Sequence, residues 1–295
     1  MYDILEICYG GKVMDAWLND IISATAWEME KPAAYGAFHL TFTFVGFAVC
    51  IFAAYLLRNT SERGNRIVLI SAGVFLMLTE VYKQLFYYYY IGEGSYQWWI
   101  FPFQLCSVPM YLCVIAPLLK KGWLKSGMYN FMTTYNLLGG LMAFIEPSGI
   151  VHGYWTLTLH AFMWHMTLVF IGFYLIASGR CAKTKKDFIY AIITYVSLCI
   201  VAFCINLIFW RASEGDINMF YVGPRYSPLI VFKDISLRFG WYVSTLLYIP
   251  TVTLGAYLIY VVTVGIFGRK WQKSIPVACP EVEKSPKTQN EPIYK

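Results

Sequence analysis

The chain has 295 residues, of which 58% are hydrophobic and 14% charged, against roughly 25% charged in an ordinary soluble chain. That balance excludes a soluble globular domain and points to an all-α, polytopic membrane protein. The formal charge of +6 does not mark a nucleic-acid partner, because the basic residues lie in short connections between long apolar runs. The partners expected are membrane lipids.

In chain order, residues 1–34 are acidic, lack the basic start and apolar core of a signal peptide, and read as an extracytoplasmic arm. A spanning helix needs about 20 apolar residues. Stretches near 35–57, 67–90, 98–119, 126–146, 154–178, 187–211 and 240–267 meet that length and define a seven-helix transmembrane domain over 35–267. Residues 268–295 form a tail containing Pro, Glu and Lys, a composition that predicts disorder. The connections near 58–66, 120–125 and 179–187, with the tail, hold 16 Lys and Arg, against 6 on the other side. The excess marks the cytoplasmic face, so the amino terminus is expected outside and the carboxyl terminus inside, in the cell membrane. Clustered Tyr and Trp near 87–99 agree with an outer headgroup level.

Eight cysteines follow no paired spacing, and Cys50, Cys106, Cys113, Cys199 and Cys204 fall in apolar runs. A thiol there behaves as a small hydrophobe, so neither a disulfide framework nor a metal site is expected, and no cofactor motif is present.

Polar side chains are expensive in hydrocarbon, which makes the intramembrane ones the first candidates for function. At about 1.5 Å of rise per residue, Glu80, Cys106, His160, His165, Asn136 and Asn206 fall in the outer half of the membrane or near its midplane. The third run carries Pro102, Gln104, Cys106 and Pro109. As part of one helix, Pro109 would break the bond to Leu105 and bend the chain beside Cys106, a geometry tolerated where backbone lines a cavity. Five residues separate His160 from His165, so they point roughly 140° apart. His165 shares its stripe with Thr158, Ala161, Leu168 and Gly172, and His160 shares its own with Trp164. Glu80 pairs readily with Lys83 one turn on, while Lys83 is close enough to the surface to snorkel. The outer connection near 212–239 is rich in turn formers around Asn218–Pro228. It is expected to fold back over the cavity as a lid or to lie at the interface, with Arg225 able to reach a lipid phosphate.

These segments resemble the YwaF-type integral membrane proteins, a family related to the eukaryotic transmembrane protein 164 acyltransferases. Residues Phe101-Pro102-Phe103-Gln104-Leu105-Cys106 look like the family's Leu-Pro-Leu-x-Leu-Cys signature, with aromatics replacing two leucines. Glu146-Pro147, His165, Asn218-Met219-Phe220 and Gly240-Trp241-Tyr242 resemble further family features in the same order, over roughly 35–265. The resemblance implies a cysteine and histidine pair, here Cys106 and His165, acting in acyl transfer onto lysophospholipids. On that expectation Cys106 forms a thioester and His165 is the base. Glu80 or Asn136 would orient the imidazole, and Gln104 or a free backbone donor would hold the oxyanion. Water in place of the lysolipid would make the same pair a lipid hydrolase. A proton-coupled transporter or binding protein using Glu80, His160 and His165 is the other reading, and a scaffold for partner proteins a third.

Overall fold

A computed structural model of the protein describes residues 16–271, the side chains of 267–271 apart. Most of the tail, and the first 15 residues of the arm, lie outside the described residues. The described part is helical, with no strand among the described residues beyond one isolated bridge between Glu28 and Tyr154. The helices are α1 (residues 16–24), α2 (Ala37–Leu56), α3 (Glu62–Leu85), α4 (Val108–Ile115), α5 (Trp123–Phe131), α6 (Leu137–Ile145), α7 (Trp155–Ala177), α8 (Lys185–Phe209), α9 (Ile230–Phe239) and α10 (Trp241–Trp271).

Five helices are long and apolar enough to cross a membrane: α2, α3 with its π-helical extension to Ile91, α7, α8, and α10 as far as Ile266. They coincide with five of the predicted spans. Their starts are set by capping chemistry outside the apolar runs. Ser61 accepts from the Gly64 amide at 3.2 Å, so α3 begins at Glu62 rather than near 67. Thr184 and Asp187 form a reciprocal capping box that opens α8.

The other two predicted spans take different forms. The third, 98–119, is not one bent helix. Residues 101–107 are irregular, α4 starts at Val108, and one 3₁₀ turn carries it to Leu118. Pro109 therefore begins a helix instead of kinking one, at a position where its missing N–H costs nothing. The fourth runs unbroken from Trp123 to Ile145, but with a π-helical segment, Met132–Asn136, between α5 and α6. Every residue from Tyr129 to Leu137 is buried. A helix surrounded by protein can carry Asn130, Thr133, Thr134, Tyr135 and Asn136 without meeting lipid.

The connections gather at two ends. At one, the Arg180 guanidinium bonds the Glu62 carboxylate at 2.8 Å and the Thr60 carbonyl at 3.0 Å. Asn65 donates to the Tyr129 hydroxyl at 2.9 Å and accepts from Tyr174 at 3.1 Å, a buried network tying α3, α5 and α7. At the other end, the strand-like residues after α1 pair with the start of α7. Met29 donates to Gly153, and Trp155 to Trp27. The Thr25 and Tyr82 hydroxyls meet at 2.7 Å, and Ile22 packs on Phe86, Ile100 and Leu157. Burial in this cap, reinforced by Lys31, pushes the His152 imidazole below its ordinary value. The cap is thus stable with His152 neutral, and loses stability as pH falls below the ordinary histidine range.

Close helix contacts depend on glycine. A Cβ on Gly127 would lie 2.5 Å from the Thr194 hydroxyl and 2.9 Å from the Tyr190 carbonyl, where α5 meets α8. Gly127→Val is expected to destabilise the detergent-solubilised protein by about 1–3 kcal/mol. Gly139→Ala, with nothing within 4 Å of its added carbon, is expected to leave the thermal midpoint unchanged or raise it.

Candidate active site

The site grows from the irregular segment before α4. Residues 101–107 do not complete a helix, and the backbone polar groups freed there need partners within the protein. Tyr111 and Trp164 donate to the carbonyls of Pro102 and Cys106, while the side chain of Gln104 reaches out to neighbouring segments. Its amide nitrogen donates to the carbonyls of Trp99 and Asn218, both at 3.2 Å, and its oxygen accepts from the Phe220 amide at 3.3 Å. Gln104 is thus committed to joining two segments of chain and is not a spare oxyanion donor.

Asn206 of α8 completes the same junction. It donates to the carbonyls of Met219 and Val222 at 3.0 and 3.1 Å, and accepts from the Met219 amide at 2.7 Å. The connection after α8 is therefore inserted into the bundle: Ile217, Met219, Phe220 and Val222 are each at most 1% exposed. Phe220 stacks between Phe103 and Tyr195, with ring centres 5.7 and 6.4 Å away. Phe220 and Tyr221 both have positive φ, 55° and 54°, a conformation that costs a non-glycine residue about 1–2 kcal/mol. Arg225 bonds the Asp216 carboxylate and carbonyl, closing the base of this loop, and Asp216 also caps the Trp99 amide at 3.0 Å.

Cys106 lies one residue before the cap of α4, half-buried, with the Ser107 hydroxyl and its own amide beside the sulfur. Its carbonyl accepts from the Trp164 indole of α7 at 3.1 Å. Trp164 is also the platform for two charged or titratable groups. The His160 ring lies 5.6 Å from it at a 32° tilt, and the Lys83 ammonium stands 5.8 Å from its centre. Lys83 pairs with Glu80 at 2.8 Å, as their one-turn spacing predicts, and Glu80 also accepts from Gln84 at 2.7 Å. Lys83 is the common electrostatic neighbour of Cys106, His160 and His165. Glu80 is 4% exposed and its second oxygen has no partner, as is true of the His160 Nε2.

His165 points elsewhere on α7, as the five-residue spacing predicts. Its ring approaches Phe144 of α6 edge-on at 6.4 Å, and its small-residue stripe packs on that helix, with Gly172 against Leu137. The Nδ1 bonds the Ala161 carbonyl at 2.8 Å. That contact requires the proton on Nδ1 and leaves Nε2 as the basic nitrogen. Neither Glu80 nor Asn136 orients the ring: Asn136 donates to the Met132 and Leu168 carbonyls, both at 3.1 Å. Among the described residues no hydrogen bond joins Cys106 to either histidine.

The structure therefore brings Glu80, Cys106 and His160 around Lys83 and Trp164. It places Gln104 and Asn206 at the inserted loop, Arg225 at that loop's base, and His165 and Asn136 towards α6. Sequence reasoning missed Tyr221 and Tyr248, both within electrostatic range of Cys106, and the buried His39, whose two ring nitrogens are unpartnered. The alignment of Trp164 with His160 was visible one turn apart. The approach of Tyr221 was not, because it depends on loop insertion. A separate apolar groove of about 720 Å³ runs between α2 and another face of α7, lined by Phe38, Phe42, Gly46, Met166 and Phe170.

A bundle of apolar helices that keeps a thiol, two imidazoles and a carboxylate–ammonium pair among its side chains defines an integral multi-pass membrane protein with a polar interior site. The model of the TMEM164 family matches residues 34–269, and the chain belongs to that family. No curated protein and no solved structure matches the chain.

The clamp on the inserted loop is open to direct test. Asn206→Leu strips partners from one amide and two carbonyls, at about 1–3 kcal/mol for each buried group left unsatisfied. Amide exchange across 218–222 is expected to rise at least tenfold, with exchange in the centre of α8 unchanged.

Proposed function

We propose that this protein is a membrane acyltransferase that moves acyl chains between phospholipids, with Cys106 as nucleophile and His165 as base. The observation that carries the reading is the position of Cys106. Its thiol is half-buried at the amino-terminal end of α4, in irregular backbone, with Lys83 close by. The positive end of a helix and a nearby ammonium both act for a thiolate, against the larger cost of burying its charge. The tautomer of His165 supports the second role, because its bonded Nδ1 leaves Nε2 ready to take a proton. Trp164 hydrogen-bonds the Cys106 carbonyl and immediately precedes His165, so the two segments are tied within one residue of the pair. Catalytic hydrogen bonds that are open without substrate commonly tighten when it binds. Membership of the TMEM164 family is compatible with this chemistry.

In the first half-reaction the Cys106 proton passes to His165 and the sulfur attacks the ester carbonyl of a phospholipid. The S–C bond forms as the ester C–O bond breaks, and the departing lysolipid oxygen takes the proton from His165. In the second, His165 deprotonates the hydroxyl of an acceptor lysophospholipid, which attacks the thioester and frees the thiol. In the bilayer the chain crosses seven times, amino terminus outside and carboxyl terminus cytoplasmic. The third crossing is completed by irregular backbone, and the basic connections collect at the cytoplasmic end.

Purified protein in nanodiscs, given a phosphatidylcholine with a radiolabelled sn-2 chain and an unlabelled lysophospholipid, is expected to yield labelled acceptor. Cys106→Ala is expected to abolish transfer and His165→Ala to reduce it by about 10²–10⁴-fold. Full transfer by Cys106→Ala would end the proposal. Loss in His160→Ala with full activity in His165→Ala would move the base to the other imidazole. Free labelled fatty acid in place of labelled acceptor would make the enzyme a hydrolase.

A further inference from the structure

We infer that the buried Glu80–Lys83 pair of α3 is a positioning device for the nucleophile: with Gln84 and Trp164 it frames residues 100–106 and so holds Cys106 in the geometry its reaction needs. The inference rests on the acyl-transfer reading and gives a task to the most expensive feature of the site.

An ion pair inside an apolar bundle needs a reason other than stability. Glu80 is 4% exposed, and one of its two oxygens has no partner. A buried pair satisfied so incompletely is often no more stabilising than two apolar side chains of the same volume. Ionisable groups kept within a membrane mark function for that reason.

The contacts of the pair run in two directions and end on the same stretch of chain. On one side Glu80 Oε1 accepts from the Gln84 amide at 2.7 Å, and the same nitrogen donates to the Ile100 carbonyl at 2.7 Å. On the other, the Lys83 ammonium lies 2.8 Å from Glu80 and 5.8 Å from the centre of the Trp164 ring. That is within the range of a cation–π attraction. The Trp164 indole then donates to the Cys106 carbonyl at 3.1 Å. The circuit closes through the chain itself. Ile100 ends the last helical turn before the stretch, which is irregular from 101 to 107. Without a helical ladder, the shape of that stretch depends on where its two ends are fastened.

Trp164 is itself 4% exposed, and the ammonium at its face limits how the indole can turn. Lys83 is kept there by Glu80, one turn back on the same helix. The carbonyl that the indole holds belongs to the residue carrying the thiol, so a shift of the ring is a shift of the sulfur. A misplacement of about 1 Å can slow a reaction by about 10²-fold. This task is distinct from the help that the ammonium gives a thiolate by charge, and the test separates the two.

Glu80→Leu combined with Lys83→Met removes both charges together and leaves no unpaired ion. In the full chain in nanodiscs its thermal midpoint is expected to stay unchanged or rise. The kcat of radiolabelled acyl transfer is expected to fall by about 10–100-fold, with KM for the donor phospholipid unchanged. Amide exchange across 101–107 is expected to rise roughly tenfold. Lys83→Arg can pair with the carboxylate and stack on the indole, and is expected to keep transfer within about twofold of wild type. Because the pair acts through the indole, Trp164→Phe is expected to cost less in the double variant than it does alone.

Wild-type kcat in the double variant overturns the inference. So does a fall in kcat with exchange across 101–107 unchanged, which assigns Lys83 an effect on the thiol by charge alone. A lowered thermal midpoint with kcat and KM altered together makes the pair structural and overturns it too, as do fully additive losses with Trp164→Phe. Transfer kept in full by Cys106→Ala defeats the acyl-transfer reading and this inference with it. Transfer lost from Cys106→Ala but kept at full kcat in the double variant defeats this inference alone.

Discussion

Two stretches of non-helical backbone lie against each other at a junction inside this bundle, and the rest of the architecture depends on how each is satisfied. In a bilayer an unpaired N–H or C=O costs several kcal/mol, so neither 101–107 nor 217–223 is tolerable there alone. Gln104 and Asn206 bond main chain of the second stretch, while Tyr111 and Trp164 donate to the Pro102 and Cys106 carbonyls of the first. Because these side chains supply bonds that a helical turn would make, the backbone around Cys106 remains irregular and the thiol is not wrapped into a packed helix.

That junction is also mechanically continuous with the core. Phe103, Phe220, Tyr195, Tyr135 and Phe131 form a column of stacked rings from the inserted loop to α5, with the closest pair, Tyr135 and Tyr195, 4.3 Å apart. The column runs past the π-helical segment Met132–Asn136, where the extra residue in the turn changes which side chains face α7 and α10. Asn136 then bonds the Leu168 carbonyl of α7, the helix that also carries His160, Trp164 and His165. The loop, the α5–α6 helix and α7 are therefore coupled through packing and hydrogen bonds rather than through charge.

Much of this was legible in the residues. Runs of apolar residues located five long helices, because length and hydropathy alone decide those cases. The same criterion is blind to the break in the third run, where Pro109 begins a helix instead of kinking one, since a proline serves equally well in a first turn. The site was legible in parts. Glu80 and Cys106 stood out as costly in hydrocarbon, and the divergence of His160 from His165 followed from helical geometry. Lys83 holds the partner that its one-turn spacing from Glu80 predicts, while the face of Trp164 beside it lies on another helix and had no such signal. Tyr221 had no local signal at all. Its place depends on amides more than a hundred residues earlier in the chain (Gln104) and on a different helix (Asn206).

The shortness of the apolar helix that begins with α4 bears on how the protein is made. Val108–Leu118 provides 11 helical residues, about half the length that partitions into lipid unaided. It leans on α3 at Gly73, where a Cβ would come within 3.0 Å of the Met110 carbonyl. During synthesis the Cys106 carbonyl lacks its partner until Trp164 has been made, and the Gln104 side chain lacks the Asn218 carbonyl, 114 residues further on, until the chain has passed α8. The junction therefore closes late, after most of the bundle exists.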